Sequence, residues 1–223
     1  MRFPTRSARR PRTRGWSLIE LTIILIVLSI LCAILAPVIS NFVRNAKVVR
    51  CREDVQAIAC AMWMFMEDTG YQWFSSIGHA PGVPANHGVE LLVGDGEIPA
   101  VGGGGGWGWA QPTDLCKVDF FANHLTTNTP GGSASHAYKT PLQTGFNAEF
   151  SWRGPYMSAP ILPDPWGSRY AANVKFLGPD AWTEDVAVLS AGPNNRINSP
   201  YACDGLTPGD DDFLYILSAN SRP

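Results

Sequence analysis

Charge is scarce in this 223-residue chain: Lys, Arg, Asp and Glu together make up 16% of it against 45% hydrophobic residues. That balance excludes wholesale disorder. The few charges are also unevenly placed. The first 15 residues contain no acid and hold six of the 17 basic residues: Arg2, Arg6, Arg9, Arg10, Arg12 and Arg14. From Trp16 onward the chain has 11 basic and 19 acidic residues, a net of −8. A body of that sign lacks the basic face that phosphate neutralisation needs, so no nucleic-acid partner is expected. Reactive motifs are missing as well. There is no G-x-S-x-G elbow, no H-E-x-x-H, no Walker sequence and no C-x-x-C pair, so nothing points to an enzyme. His79, His87, His124 and His136 show no metal-ligand spacing and read as solvated loop histidines.

No charge stands between Glu20 and Arg44, and from Leu21 to Ile39 the only polar side chains are Thr22 and Ser29. Nineteen helical residues rise about 28 Å, close to the hydrocarbon thickness of a bilayer. The segment reads as a membrane span, with the arginine cluster held on the cytoplasmic side and the rest of the chain on the far side. A cleavable secretory signal is the competing reading. The apolar run is longer than a usual h-region, no A-x-A-like site follows it, and the sequence past Pro37 is already amphipathic. A plain signal anchor stays open. Glu20 does not fit a plain anchor, because an ionised carboxylate at the edge of an apolar run is costly unless it lies near the interface, is protonated or has a cation to neutralise it. Cleavage between Gly15 and Trp16 would create one, the α-amino group of Trp16.

Past the span, Val48, Cys51, Val55, Ile58, Met62 and Phe65 recur at intervals of three and four, one apolar stripe of a helix, with Arg44, Lys47, Arg50, Arg52, Glu53 and Asp54 on its other sides. Gly70 is a natural C-terminal stop. One helix is therefore expected over residues 16–69, with residues 18–39 transmembrane and a bend or local melting at residues 33–37 caused by Pro37. Residues 70–223 form the head. Its first part, through a segment at 95–151 that includes Gly102 to Gly106, is loop-rich, with Trp107 and Trp109 anchoring the glycine run. In residues 152–223, the stretches Arg169–Phe176, Asp185–Ser190 and Phe213–Ser218 read as three antiparallel strands. The fold class is α+β: a long helix against a small antiparallel sheet. Of the five cysteines, Cys32 lies in the span, and Cys51 and Cys60 are about 13.5 Å apart along one helix on opposite faces, too far to pair. Cys116 and Cys203 remain in the head, where an oxidising compartment would allow them to bridge.

The run Arg14-Gly15-Trp16-Ser17-Leu18-Ile19-Glu20 resembles the processing signal of type IV prepilins and type II secretion pseudopilins. Leader charge, Gly15, Glu20 at the fifth position after it, the span, and Pro37 at the twenty-second stand in register; Trp16 replaces the usual Phe. Further on, Trp152 to Tyr156, Leu162 to Tyr170, Leu189 to Asn195 and Asp210 to Asp212 are similar in order and kind to the major, G-type pseudopilins. The resemblance covers roughly residues 14–70 and 150–218 and leaves 95–151 as a glycine-rich insertion.

The resemblance implies a type IV pilin-like fold, a cleaved leader over residues 1–15, and an N-methylated Trp16. It also implies a calcium ion on the C-terminal loop, with Asn194 in place of the usual first aspartate, carboxylates from Asp211 and Asp212, and the backbone carbonyls of Ala191 and Arg196. Asp204 is a further candidate ligand. The alternative is an acidic solvated turn that binds nothing. The implied function is a structural subunit of a periplasmic pseudopilus that drives export of folded proteins. Its implied partners are further copies of itself, minor pseudopilins, the prepilin peptidase and an inner-membrane assembly platform with its cytoplasmic ATPase. The subunit would be a single-pass inner-membrane protein before assembly. Two other readings stand beside it: a type IV pilin of a surface filament, and a signal-anchored periplasmic binding module or enzyme.

Overall fold

A computed structural model of the chain describes residues 15–70, 74–77, 88–102, 107–110, 117–142, 150–177, 184–202 and 205–217. The chain divides into two units, Met1–Asn45 and Ala46–Pro223. Helix α1, Leu18–Thr69, contributes residues 18–45 to the first and 46–69 to the second.

In the first unit α1 starts where the Leu21 amide bonds the Ser17 carbonyl at 3.1 Å. Every side chain from Leu18 to Val43 is exposed, among them Leu18, Ile19, Ile26, Ile34 and Phe42. The expected melting at Pro37 does not occur: the α-helix is unbroken from Leu18 to Thr69. Proline's fixed φ is itself helical, and the ring removes one backbone donor without forcing the chain out of the α region. Thr22, Ser29 and Ser40 return their hydroxyls to carbonyls three residues earlier, at 2.8, 2.8 and 2.9 Å, so these polar groups are satisfied within the helix.

In the second unit the stripe turns inward. Cys51, Val55, Ile58, Met62 and Phe65 are buried, joined by Ala59, Ala61 and Met66, while Val48 is half-buried. Gly70 ends the helix in the left-handed region, φ 68°, with its amide on the Met66 carbonyl at 3.0 Å.

The helix packs on a mixed sheet. Seven strands are described: β1 Leu91–Val93, β2 Ala100–Val101, β3 Val118–Phe120, β4 Ala171–Ala172, β5 Val186–Ser190, β6 Arg196–Ile197 and β7 Phe213–Leu217. Five of them form one sheet in the order β3-β1-β4-β5-β7. The pairs β1–β4, β4–β5 and β5–β7 are antiparallel, but β1–β3 is parallel, so the sheet is not the purely antiparallel one expected. Strands β2 and β6 form a separate parallel pair, Ala100 opposite Arg196 and Val101 opposite Ile197. Segment 95–151 thus enters the architecture through β2 and β3.

The expected strand over Arg169–Phe176 is reduced to β4, followed by a 3-10 turn at Val174–Leu177. Buried Asn173 explains the interruption. Its Oδ1 accepts the Ala187 amide at 2.7 Å, taking the place of a ladder carbonyl, and its Nδ2 donates to the carbonyls of Asp185 and Tyr201. Strand β7 carries the expected apolar run from Phe213 to Leu217; Ser218 lies outside the described residues. Trp109, on the short helix α2 (Trp107–Ala110), is fully buried against Leu91, Val93, Leu189 and Ile197, with Tyr201 edge-on at 5.3 Å.

Candidate functional site

Two regions carry the residues singled out in the sequence. The first is the N-terminal unit. Gly15, Trp16 and Glu20 are exposed at and just inside the start of α1, Trp16 at 68%. By length and composition α1 can cross a membrane. Its bare side chains from Leu18 to Val43 need an apolar environment, since apolar surface in water costs about 25 cal/mol per Å². Residues 1–14, with the arginine cluster, lie outside the described residues.

The second region is the acidic loop of the head, built from two turns. After β5 the chain makes a 3-10 turn, Gly192–Asn194, and Asn195 then takes the left-handed conformation, φ 56°. Before β7, Asp210 is also left-handed, φ 51°. The turns meet because residue 192 is glycine: at φ 66°, a Cβ there would stand 2.2 Å from the Asp211 carbonyl oxygen. The Asn194 amide then reaches Asp211 Oδ2 at 3.0 Å, and Asn194 Nδ2 reaches Asp210 Oδ2 at 3.3 Å.

A hydrogen-bond relay ties these turns to the Asp164-Pro165-Trp166-Gly167-Ser168 turn, which gives those two sequence motifs a common physical cause. Buried Asp164 accepts the Trp166 and Ser168 amides on Oδ1 at 3.0 and 2.8 Å, and the Ser190 hydroxyl on Oδ2 at 2.7 Å. Ser190 Oγ in turn accepts the Gly192 amide at 3.2 Å. Trp166 stacks on Phe213 at 5.7 Å, and the Arg52 guanidinium lies 5.7 Å from the same ring.

Asp212 is 6% exposed. Its Oδ2 accepts the Asn198 and Ser199 amides at 2.9 and 2.7 Å and the Ser199 hydroxyl at 2.6 Å. Burial nonetheless raises its pKa, with the charge of Asp211 adding to the rise, against the lowering by those three donors. Among the described residues, Asp211 Oδ1, Asp212 Oδ1 and Asn195 Oδ1 are buried and meet no hydrogen-bond donor. Oxygens without donors are the ligand type that a hard cation takes. No three His, Cys, Asp or Glu side chains gather into a metal-holding group among the described residues. A cation here would therefore rest on two carboxylates plus neutral oxygens.

The residues of the expected ligand set are brought together unequally. Asp211 and Asp212 offer unpaired oxygens; Ala191 is buried just before the turn and Arg196 is exposed at the start of β6. The Asn194 side chain is already engaged, its Oδ1 accepting the Arg196 amide at 2.7 Å as a local turn bond. Cys116, Cys203, Asp204, His79 and His87 lie outside the described residues.

His124 departs most from expectation. It is not a solvated loop residue but is 0% exposed on helix α3, Phe121–Leu125. Its Nε2 lies 2.9 Å from Asp119 Oδ2, and its Nδ1 lies 2.6 Å from the Tyr138 hydroxyl, which stands 3.3 Å from the Ser75 carbonyl. Asp119 also accepts the Phe120 and Gly131 amides at 2.8 and 2.6 Å and Asn123 Nδ2 at 2.5 Å. Burial would raise the Asp119 pKa, but His124, the Gly131 amide and Asn123 together hold it below the usual carboxylate value. Tyr138 is pushed well above its ordinary pKa by burial and stays a neutral phenol. Phe65 and Phe74 pack edge-on to the imidazole at 6.4 and 5.2 Å, and the Trp152 indole donates to the His124 carbonyl at 2.9 Å. The network is sealed and serves packing, joining β3 and α3 to the end of α1. The short spacing of Asp119, Asn123 and His124 was its only trace in the sequence.

No protein-family model, curated protein or solved structure matches this chain.

Proposed function

We propose that this chain is the structural subunit of a pseudopilus of a type II secretion system, assembling through its N-terminal helix to drive export of folded proteins across the outer membrane. The observation that carries the reading is residues 18–43 of α1: an uncovered apolar helix with one carboxylate, Glu20, near its start. Such a surface is stable in lipid or against other helices of its kind, and an assembly supplies both in turn. Within lipid, Glu20 needs a cation, and the α-amino group that cleavage after Gly15 would create on Trp16 supplies one in the same chain or a neighbour. The subunit would be held in the inner membrane with its head in the periplasm until it joins the polymer. Its partners would be further copies, minor pseudopilins, the prepilin peptidase and an assembly platform with a cytoplasmic ATPase.

Calcium belongs to the same reading. What supports it is that Asp211 and Asp212 each carry a buried side-chain oxygen that meets no donor among the described residues. When bound, calcium would supply positive charge between two carboxylates that otherwise repel. The chain's own part is to hold the turns together through Gly192 and the Asp164–Ser190 relay.

Glu20→Ala tests the assembly reading. In cells carrying the secretion system, in-cell crosslinking of the wild type should give a ladder of multimers. The variant should stay in the membrane fraction as monomer with the ladder lost. An undiminished ladder in Glu20→Ala would overturn the role given to this carboxylate.

A further inference from the structure

Two hollows open on one face of α1 in the head. Arg50, Asp54, Ala57, Ala61, Met64 and Asp68 recur at intervals of three and four and so share that face. The segment from Arg153 to Leu162 lines its other side, running back from the second hollow to the first. The first hollow, about 230 Å³, lies between Ala57 and Ile58 of α1 and Met157, Pro160, Ile161 and Leu162. Its polar groups satisfy one another: Arg50 pairs with Asp54 at 3.4 Å, and the Tyr170 hydroxyl donates to Asp54 Oδ2 at 2.9 Å. What remains is apolar, with Leu162 56% exposed. The second hollow, about 320 Å³, is lined by Met64, Glu67, Asp68, Arg153, Pro155 and Tyr156. Glu67 is exposed and has no ion pair among the described residues, and Asp68 stands 3.9 Å from the Arg153 guanidinium. The face is thus apolar at Ala57 and acidic at Glu67, about 15 Å further along the helix.

The uncovered part of α1 carries the complement. Val27, Leu31, Ile34 and Val38 are spaced four, three and four apart and are all exposed. Arg44, the first cation after them, is exposed and has no ion pair among the described residues. Two copies inserted in one membrane have parallel helices. If one is displaced by the 23 residues that separate Arg44 from Glu67, its Ile34 comes opposite Ala57 of the other in the apolar hollow and its Arg44 opposite Glu67 in the acidic one. A single displacement of about 35 Å therefore satisfies both matches. Carrying Arg44 to exposed Glu53 instead would set Asn41 and Asn45 opposite Arg50 and Asp54, and the apolar match would fail.

We infer that this face of the head docks a second copy of the chain, the apolar hollow taking the stripe of Val27, Leu31, Ile34 and Val38 and the acidic hollow taking Arg44. The inference rests on the assembly reading above and adds to it the surface of the head that receives another copy and the displacement at which it does so. Copies at equal depth in a membrane cannot make this contact. It forms once one copy has moved along the helix axis by about 35 Å, and the stripe then exchanges lipid for protein cover.

The full chain is tested in cells carrying the secretion system, with the ladder of crosslinked multimers as readout. Recovery in the membrane fraction and circular dichroism in detergent verify that each variant is inserted and folded. Arg44→Glu and Glu67→Arg should each lower the multimers by about tenfold or more, because like charges then face each other across the contact. The double variant Arg44→Glu/Glu67→Arg should bring them back to within about threefold of wild type. In a second measurement Ile34 is replaced by photoreactive benzoylphenylalanine, and illumination should join it to residues 50–58 or 157–162 of another copy. Undiminished ladders in both single variants, a double variant no better than the singles, or photoadducts confined to lipid or to other segments would each overturn the docking face while leaving assembly through the N-terminal helix intact. A wild type that gives no multimers would instead defeat the assembly reading on which the inference rests.

Discussion

Replacing Asp119 with Ala should unfold the head at markedly lower temperature, although the residue lies far in sequence from both regions of interest. The carboxylate is 4% exposed and accepts from the Phe120 amide, the Gly131 amide, Asn123 Nδ2 and His124 Nε2. Truncation leaves the His124 and Gly131 donors buried without an acceptor, at about 1–3 kcal/mol each, and removes the buried partner of an imidazole. A net loss of about 3–5 kcal/mol follows. In a head of this size that lowers the melting temperature by roughly 6–20 °C. The assay is near-ultraviolet circular dichroism of the full chain in detergent at neutral pH, scanned from 20 °C upward.

Acid supplies a second axis to the same experiment. The folded Asp119 pKa lies below its ordinary value of 3.8. Its contribution is therefore complete above that value and is lost as pH falls through the folded value. Asp119→Asn should flatten this acid limb, because the amide does not titrate. A melting temperature within about 2 °C of wild type for Asp119→Ala, or an unaltered acid limb for Asp119→Asn, would refute the network as a stabilising element.

Two further outcomes follow from packing. Phe65→Ala removes a fully buried ring that stacks on Phe74 at 4.7 Å and meets Tyr138 and Tyr156 edge-on, so denaturant melts should show a loss of about 3–5 kcal/mol. Gly192→Ala places a Cβ 2.2 Å from the Asp211 carbonyl in a left-handed position. It should cost about 1–3 kcal/mol in the same melts and separate the two acidic turns, seen as faster amide exchange at Asn194 and Arg196.

The parts of the fold that were legible in the sequence are those governed by local periodicity. The three-four spacing from Cys51 to Phe65 marked the buried face of α1, and Gly70 marked its end. Strands β5 and β7 lie within continuous apolar runs bounded by turn residues. The misreadings have non-local causes. The run Arg169–Phe176 has strand composition, but the Asn173 side chain captures an amide of β5 and turns the chain into a 3-10 bend. Strands β1 and β3 are three residues each, too short to show a period, and their parallel pairing joins segments 27 residues apart. His124 has no apolar stripe to announce its burial; its place is set by Asp119, Tyr138 and two phenylalanines contributed by other elements. In the acidic loop the residue types were readable, but the capture of the Asn194 side-chain oxygen by the Arg196 amide depends on the left-handed turn at Asn195, which composition does not announce.

On the proposed function, residues 1–15 are removed and Trp16 begins the working subunit. Intact-mass and N-terminal peptide mass spectrometry of the chain isolated from membranes of cells carrying a prepilin peptidase reads this cleavage. The expected chain begins at Trp16 and carries one methyl group on its α-amino nitrogen. A chain that retains Arg14 and Gly15 would contradict it, because Glu20 would then have no amine at Trp16 to neutralise it and the exposed apolar helix would be an anchor only.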